Sequence, residues 1–187
     1  NFEDFDLSPE LKLAVSDMGF VTPTPIQELM IPQLLSEPDD LVGLAHTGTG
    51  KTAAFGLPVI HRIDPAVKSP QALVLCPTRE LATQVANEVH KLSNFKTGVH
   101  EVPIYGGASY DRQFFELKKG VQIVIATPGR LMDHMKRGTV KLDGIKMVSY
   151  DDDLPIRREI DRAMAGHRID VEIVMEFDNI ETMKRAI

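Results

Sequence analysis

A doubly wound, mostly parallel α/β sheet is the fold this sequence predicts, and three observations predict it. Short apolar runs alternate with segments long enough to be crossover helices. A glycine-rich turn, Ala45 to Thr52, stands between one such run and a helix start. Polar clusters at 46–52, 77–80, 106–107, 127–130 and 151–153 each follow an apolar run. In parallel sheets ligands lie beyond the carboxyl ends of the strands, so these clusters read as one functional edge.

The elements follow in order. Ser8 or Asp6 is the candidate cap of a helix at 9–18, with Pro9 in its first turn and Gly19 ending it. Leu11, Ala14, Val15 and Met18 form its apolar face. Pro23 and Pro25 stiffen the entry to a second helix at 25–35. Leu41–Leu44 reads as a buried strand, and Ala53–Leu57 as the start of the next helix. Strands are expected at Gln71–Cys76, Val99–Tyr105, Val121–Ala126 and Ile145–Tyr150. Between them lie helices to Leu92, at 109–119 and to 136. Helical connections between strands require right-handed crossovers and a parallel sheet.

The 187 residues suffice for one domain with a sizeable core, and the 43% apolar content is that of a globular protein. No run reaches the length of a membrane span, and Asn1-Phe2-Glu3-Asp4 has no signal-peptide character. Cys76 is the only cysteine and lies in an apolar run, so it reads as a buried small side chain. The expected setting is cytoplasmic. Net charge is −6 but uneven. Residues 1–40 carry one basic and nine acidic side chains, 41–147 fourteen and eight, and 148–187 six and ten. The middle of the chain is the part suited to a polyanion.

The turn at Ala45–Thr52 carries the clearest chemistry. Gly48 and Gly50 let backbone amides turn toward an anion, and the helix N-terminus adds a partial positive charge. Lys51 can reach the β- and γ-phosphates of a nucleotide, and the Thr52 hydroxyl can ligate Mg²⁺. Gln27 offers a donor and an acceptor on one amide, which suits the N6 and N7 edge of adenine; taken alone, such a residue is more often just a surface glutamine.

Residues 1 to about 148 resemble the first RecA-like domain of a DEAD-box ATP-dependent RNA helicase. Phe2 matches the family's isolated upstream aromatic, Gly19-Phe20 with Pro23 to Gln27 its Q motif, and Ala45 to Thr52 its motif I. Pro77 to Ala82 matches motif Ia, Gly106-Gly107 the GG motif, and Thr127 to Arg130 motif Ib. The resemblance implies an ATP/ADP site made by Phe2, Phe20, Thr22, Gln27, Thr47, Gly48, Thr49, Gly50, Lys51 and Thr52. It implies that Pro77, Thr78, Arg79, Gly106, Gly107, Thr127, Pro128, Gly129 and Arg130 hold single-stranded RNA by its backbone. The residue chemistry agrees, because glycines and hydroxyls admit a sugar-phosphate chain closely and the arginines pair with phosphate.

The family's motif II would follow strand 145–150 as Asp-Glu-Ala-Asp, and this chain has Asp151-Asp152-Asp153-Leu154. Asp151 stands where the Mg²⁺-bound carboxylate belongs, and Asp152 replaces the glutamate that activates the attacking water. Lys51, Thr52, Asp151 and Asp152 are thus the catalytic candidates, with Thr52 and Asp151 as metal ligands. The Asp152 carboxylate falls short by one bond, about 1.5 Å, and misplacements of about 1 Å cost roughly 10²-fold in rate. The same run also reads as an acidic loop before Pro155. Motif III and the second helicase domain are not found in these residues.

The tail, 149–187, resembles a segment of the effector-binding domain of LysR-type transcription regulators, through Leu154 to Asp161 and Val171 to Thr182. It reads as α-β-α: a helix from Pro155 to Gly166, a strand at 171–177 and a helix capped by Asp178. By the helicase resemblance, strand 171–177 enters between the strand before the phosphate loop and the strand before Asp151. Glu176 is then expected near Lys51. The expectation is one domain, 1–187, binding nucleotide and weakly RNA, impaired in ATP hydrolysis and unable to unwind RNA alone. The alternative is a chimeric scaffold without retained activity.

Overall fold

The computed structural model describes residues 1–36, 41–43, 45–46, 48–142, 145–150 and 172–177, together with residues 158, 161 and 165. A short 3-10 turn at Phe2–Asp4 precedes α1 (Pro9–Asp17) and α2 (Pro25–Ser36). Then follow β1 (Leu41–Gly43), α3 (Lys51–Arg62), β2 (Ala72–Leu75), α4 (Arg79–Ser93), β3 (Glu101–Ile104) and α5 (Tyr110–Lys118). The chain continues through β4 (Ile123–Ala126), α6 (Pro128–Lys136), β5 (Lys146–Tyr150) and β6 (Glu172–Phe177). Each helix and strand expected up to Tyr150 is present within about two residues of its expected bounds. Ser8 holds the N-cap position of α1 but makes no side-chain cap. Its N–H instead donates to His61 Nδ1 at 3.2 Å, tying α1 to α3.

The six strands form one sheet in the order β1-β6-β5-β2-β4-β3, and every pairing is parallel. Strand period two divides the core between its faces. Ala72, Val74, Cys76, Ile123 and Ile125 join Leu11, Ile31, Leu57, Ile60 and Leu92 on one side. Leu73, Leu75, Val124 and Ala126 join Leu131, Met135, Leu142 and Ile145 on the other. Helices therefore cover both faces, as the near-continuous apolar strands require. Cys76 is buried, and that burial pushes its thiol up to about 12. No described helix is long and apolar enough to cross a membrane.

β6 enters where expected, between β1 and β5, with Leu41, Val42 and Gly43 in register with Met175, Glu176 and Phe177. Arg158, Asp161 and Ala165 are helical and exposed, at a spacing that shares one helix face. Thr47, Asp151 to Asp153 and the expected last helix lie outside the described residues, as does the side chain of Glu176.

Candidate functional site: a phosphate loop and an adjacent edge of three loops

The parallel sheet brings the loops after β1, β2, β3 and β4 to one edge. β1 and β2 are three strand spacings apart, about 14 Å. The phosphate loop and the loops after β2, β3 and β4 thus form two separate sites on that edge.

At the first site, Gly50 is the N-cap of α3 with φ 83°, a conformation that favours glycine. Gln27 lies directly behind it, only 3% exposed. Its Oε1 accepts from the Thr24 N–H at 2.9 Å and its Nε2 donates to the Gly50 carbonyl at 3.0 Å. Those two partners fix which way the amide faces, since one can only donate and the other only accept. Thr24 Oγ1 donates to the Thr49 carbonyl at 2.8 Å, and Thr49 Oγ1 donates to the His46 carbonyl at 2.7 Å. The entry to α2 therefore clamps the loop from below. A glutamine amide has four hydrogen-bonding valences, and these contacts use two of them.

Lys51 donates to the Ala45 carbonyl and, at 3.3 Å, to that of His46. Its ammonium thus lies against the loop it follows. α3 has no acidic residue in its first turn and no side-chain cap, and a Cβ built on Gly48 would meet nothing within 4 Å. The loop presents open space and helix N–H groups to an anion, which fits nucleotide phosphates. Thr52 is the second residue of α3 and is half-buried. Among the described residues no group of three or more His, Cys, Asp or Glu could hold a metal. The second expected Mg²⁺ ligand, Asp151, falls outside them.

The aromatic expectation divides. Phe2 is 3% exposed, edge-on to Phe5 at 5.7 Å and stacked with Phe20 at 6.2 Å. Packing into the core takes Phe2, and the ring left accessible is Phe20, at 37%. Thr22 is exposed.

At the second site, Thr78 caps α4, its Oγ1 accepting from Leu81 N–H at 3.2 Å. Arg79 is exposed and paired through Nε with Glu80 at 2.6 Å. A Cβ on Gly107 would lie 3.6 Å from Arg79 Nη1, so the loops after β2 and β3 meet here. Arg130 Nη1 donates to the Ala108 carbonyl at 3.2 Å, which joins the loop after β4 to the same surface. Thr127 is the N-cap of α6, Pro128 is buried in its first turn, and Gly106 and Gly129 are exposed beside them. Pro77, two residues past the end of β2, is half-buried.

Sequence reasoning missed a polar group beneath this surface: buried Gln113 and His134 with half-buried Tyr110 and Thr139. The available signal was a glutamine and a histidine on inward helix faces, Gln113 four residues before Leu117 and His134 between Leu131 and Met135.

Residues 24–153 match the DEAD/DEAH box helicase family. The chain is 48% identical over 151 residues to the ATP-dependent RNA helicase DeaD of Haemophilus influenzae, covering 81% of this chain and 24% of that protein. It is 50% identical to the ATP-dependent RNA helicase CshA of Listeria monocytogenes, covering 81% and 29%. Its structure is similar over its whole length to a DEAD box protein from the hyperthermophile Methanococcus jannaschii, with TM-score 0.81, 30% identity and 52% of that chain covered. It is also similar to Saccharomyces cerevisiae Dbp5 bound to RNA and ADP BeF3, with TM-score 0.80, 28% identity, and 100% and 48% coverage. The chain thus spans about a quarter of the length of these curated relatives and about half of the solved structures. Fold, loop geometry and these matches agree that the chain belongs to the DEAD/DEAH box helicase family, of which it holds the first RecA-like domain.

Proposed function

We propose that this domain binds ATP or ADP with Mg²⁺ at the loop 45–52 and holds single-stranded RNA by its backbone at the loops after β2, β3 and β4. The clamp of Gln27 and Thr24 on the loop is the observation that carries the nucleotide reading. It holds Gly50 and Thr49 in place before any anion arrives, so binding loses little freedom. Phe20, Thr22 and Gln27 are the candidate base contacts, with Phe2 supporting Phe20 from behind. Thr47 to Thr52 are the candidate phosphate contacts. Thr52 and Asp151 would hold Mg²⁺, which supplies charge neutralisation between phosphate oxygens. Dbp5, similar in fold, is bound to both RNA and an ADP complex, which supports assigning both ligands to this edge.

Hydrolysis is impaired in this reading, because Asp152 is one bond too short to activate water and Leu154 replaces an acid. Unwinding by these residues alone is not expected. The family match ends at residue 153 while the structural likeness covers the whole chain. That contrast supports a single domain whose tail, 149–187, has a different ancestry, LysR-like in sequence, and completes the sheet through β6.

Calorimetry with Mg·ADP tests the nucleotide reading. Binding that is lost in Lys51→Ala is the expected result. Absence of heat and of any thermal shift at millimolar Mg·ADP would leave the inactive chimeric scaffold as the better account.

A further inference from the structure

Under the loops after β3 and β4, a run of side-chain hydrogen bonds fixes the Gln113 amide. Gln113 lies in the first turns of α5 and is 5% exposed. Its Nε2 donates to the Tyr105 carbonyl at 3.0 Å, which fixes the amide's orientation. Its Oε1 then faces Arg130 Nη1 at 3.1 Å and His134 Nε2 at 3.2 Å. An amide oxygen only accepts, so both neighbours must donate, and His134 carries its proton on Nε2.

His134 is fully buried, and its pKa is lowered to about 4 by burial first and then by Arg130. It is therefore neutral near pH 7, and its Nδ1 must accept. Thr139 Oγ1 stands 2.8 Å from Nδ1. The Thr139 hydroxyl has two acceptors in reach, Nδ1 and the His134 carbonyl at 2.9 Å, and that carbonyl also receives the Thr139 N–H at 2.9 Å. The Tyr110 hydroxyl is hydrogen-bonded with Thr139 Oγ1 at 3.1 Å, while its ring stacks on His134 at 4.4 Å. These contacts link Tyr110, Thr139, His134 and Gln113, and Arg130 joins them at Gln113.

Arg130 is held by two contacts. Both Nη1 hydrogens are engaged, one on Ala108 and one on Gln113. The Nη2 and Nε groups are not used by these two bonds and suit a phosphate fork. A tethered guanidinium loses less rotamer freedom on binding than a free one. We propose that Gln113 is a positioning residue for RNA-backbone binding, holding Arg130 at the edge of the loop 106–109 while His134 locks the Gln113 amide. This inference rests on the RNA reading proposed above.

The test uses the full chain, a ten-nucleotide oligouridylate as probe, and anisotropy across a salt series. Gln113→Glu keeps the shape but turns the tether into an ion pair that occupies Arg130. Affinity should fall roughly tenfold, and the log–log salt slope should shrink by about 0.7, one phosphate contact. The His134 ring, followed by NMR, should titrate well above its wild-type value. Mg·ADP binding should not change. As a second pair, His134→Gln keeps an N–H for Gln113 and should bind RNA as wild type, while His134→Leu should lose the same factor. If Arg130→Ala weakens RNA binding but Gln113→Glu and His134→Leu do not, the positioning role is overturned and the RNA reading stands. If Arg130→Ala has no effect, the RNA contact at Arg130 fails and the role falls with it.

Discussion

Gln27 Nε2 lies 3.0 Å from the Gly50 carbonyl, and a Cβ placed on Gly50 would lie 2.3 Å from that same nitrogen. A side chain at position 50 and the Gln27 amide in its present position therefore exclude each other. Gly50→Ala meets both this contact and a φ of 83°, so either the loop or Gln27 must move. Mg·ADP binding should drop at least tenfold in Gly50→Ala, where roughly 1.4 kcal/mol is one decade. Gln27→Ala should cost less in affinity but reduce discrimination of adenine from guanine nucleotides. Calorimetry with ADP and GDP on both variants checks this, and a wild-type affinity in Gly50→Ala would refute the clamp.

His134 predicts an acid sensitivity. Its pKa of about 4 lies below the ordinary 6.5, through burial first, then Arg130, with Asp133 opposing and Arg137 adding a smaller push. Between those values the unfolded chain takes up a proton that the folded chain refuses, so stability falls as pH drops through that window. His61, lowered by burial and by Lys96, acts in the same direction. Glu101, raised by burial, opposes it. Urea midpoints measured at both ends of the window should show the loss, and His134→Gln should flatten it. A His134→Gln profile identical to wild type would remove the assignment.

The fold was legible in sequence because each level of signal agreed. Gly19, Gly120 and Pro128 punctuate the helices, and runs such as Ala72–Leu75 are apolar on both faces because both faces are covered. The site was legible as positions rather than as contacts. Gln27 was expected at a base edge, and half of its hydrogen-bonding capacity is committed to the protein's own loop. Lys51 was expected toward phosphate and lies on the Ala45 carbonyl. Phe2 was expected against adenine and is covered by Phe5 and Phe20. Gln113 and His134 went unread because a polar side chain on an inward face looks like a surface residue until its partners, which lie 17 to 21 residues away, are known.

Motif II makes a gain-of-function prediction. If hydrolysis is limited by the reach of Asp152, restoring the longer acid should restore the rate. Asp152→Glu should raise single-turnover hydrolysis of Mg·ATP by roughly 10²-fold, with Lys51→Ala in the same background removing the gain. Equal rates for Asp152→Glu and wild type would mean that Asp152 does not limit the reaction.

Glu176 carries the last prediction. Its backbone stands in β6 opposite Val42 of β1 and Ser149 of β5, near the carboxyl end of a central strand. β1 leads into the loop that ends at Lys51, so position 176 lies one strand spacing, about 4.8 Å, from the strand that carries the phosphate site. An added anion at that edge repels phosphate. Unit charges about 10 Å apart interact by roughly 0.4–1.7 kcal/mol for effective dielectric constants of 80 to 20. Glu176→Gln removes the charge and keeps the shape, so ADP affinity should rise between about 2- and 20-fold. Because the effect is electrostatic, it should shrink as salt rises. The check is an ADP titration of both proteins at low and high ionic strength. An affinity that is unchanged at both would show that Glu176 does not act on the phosphate site.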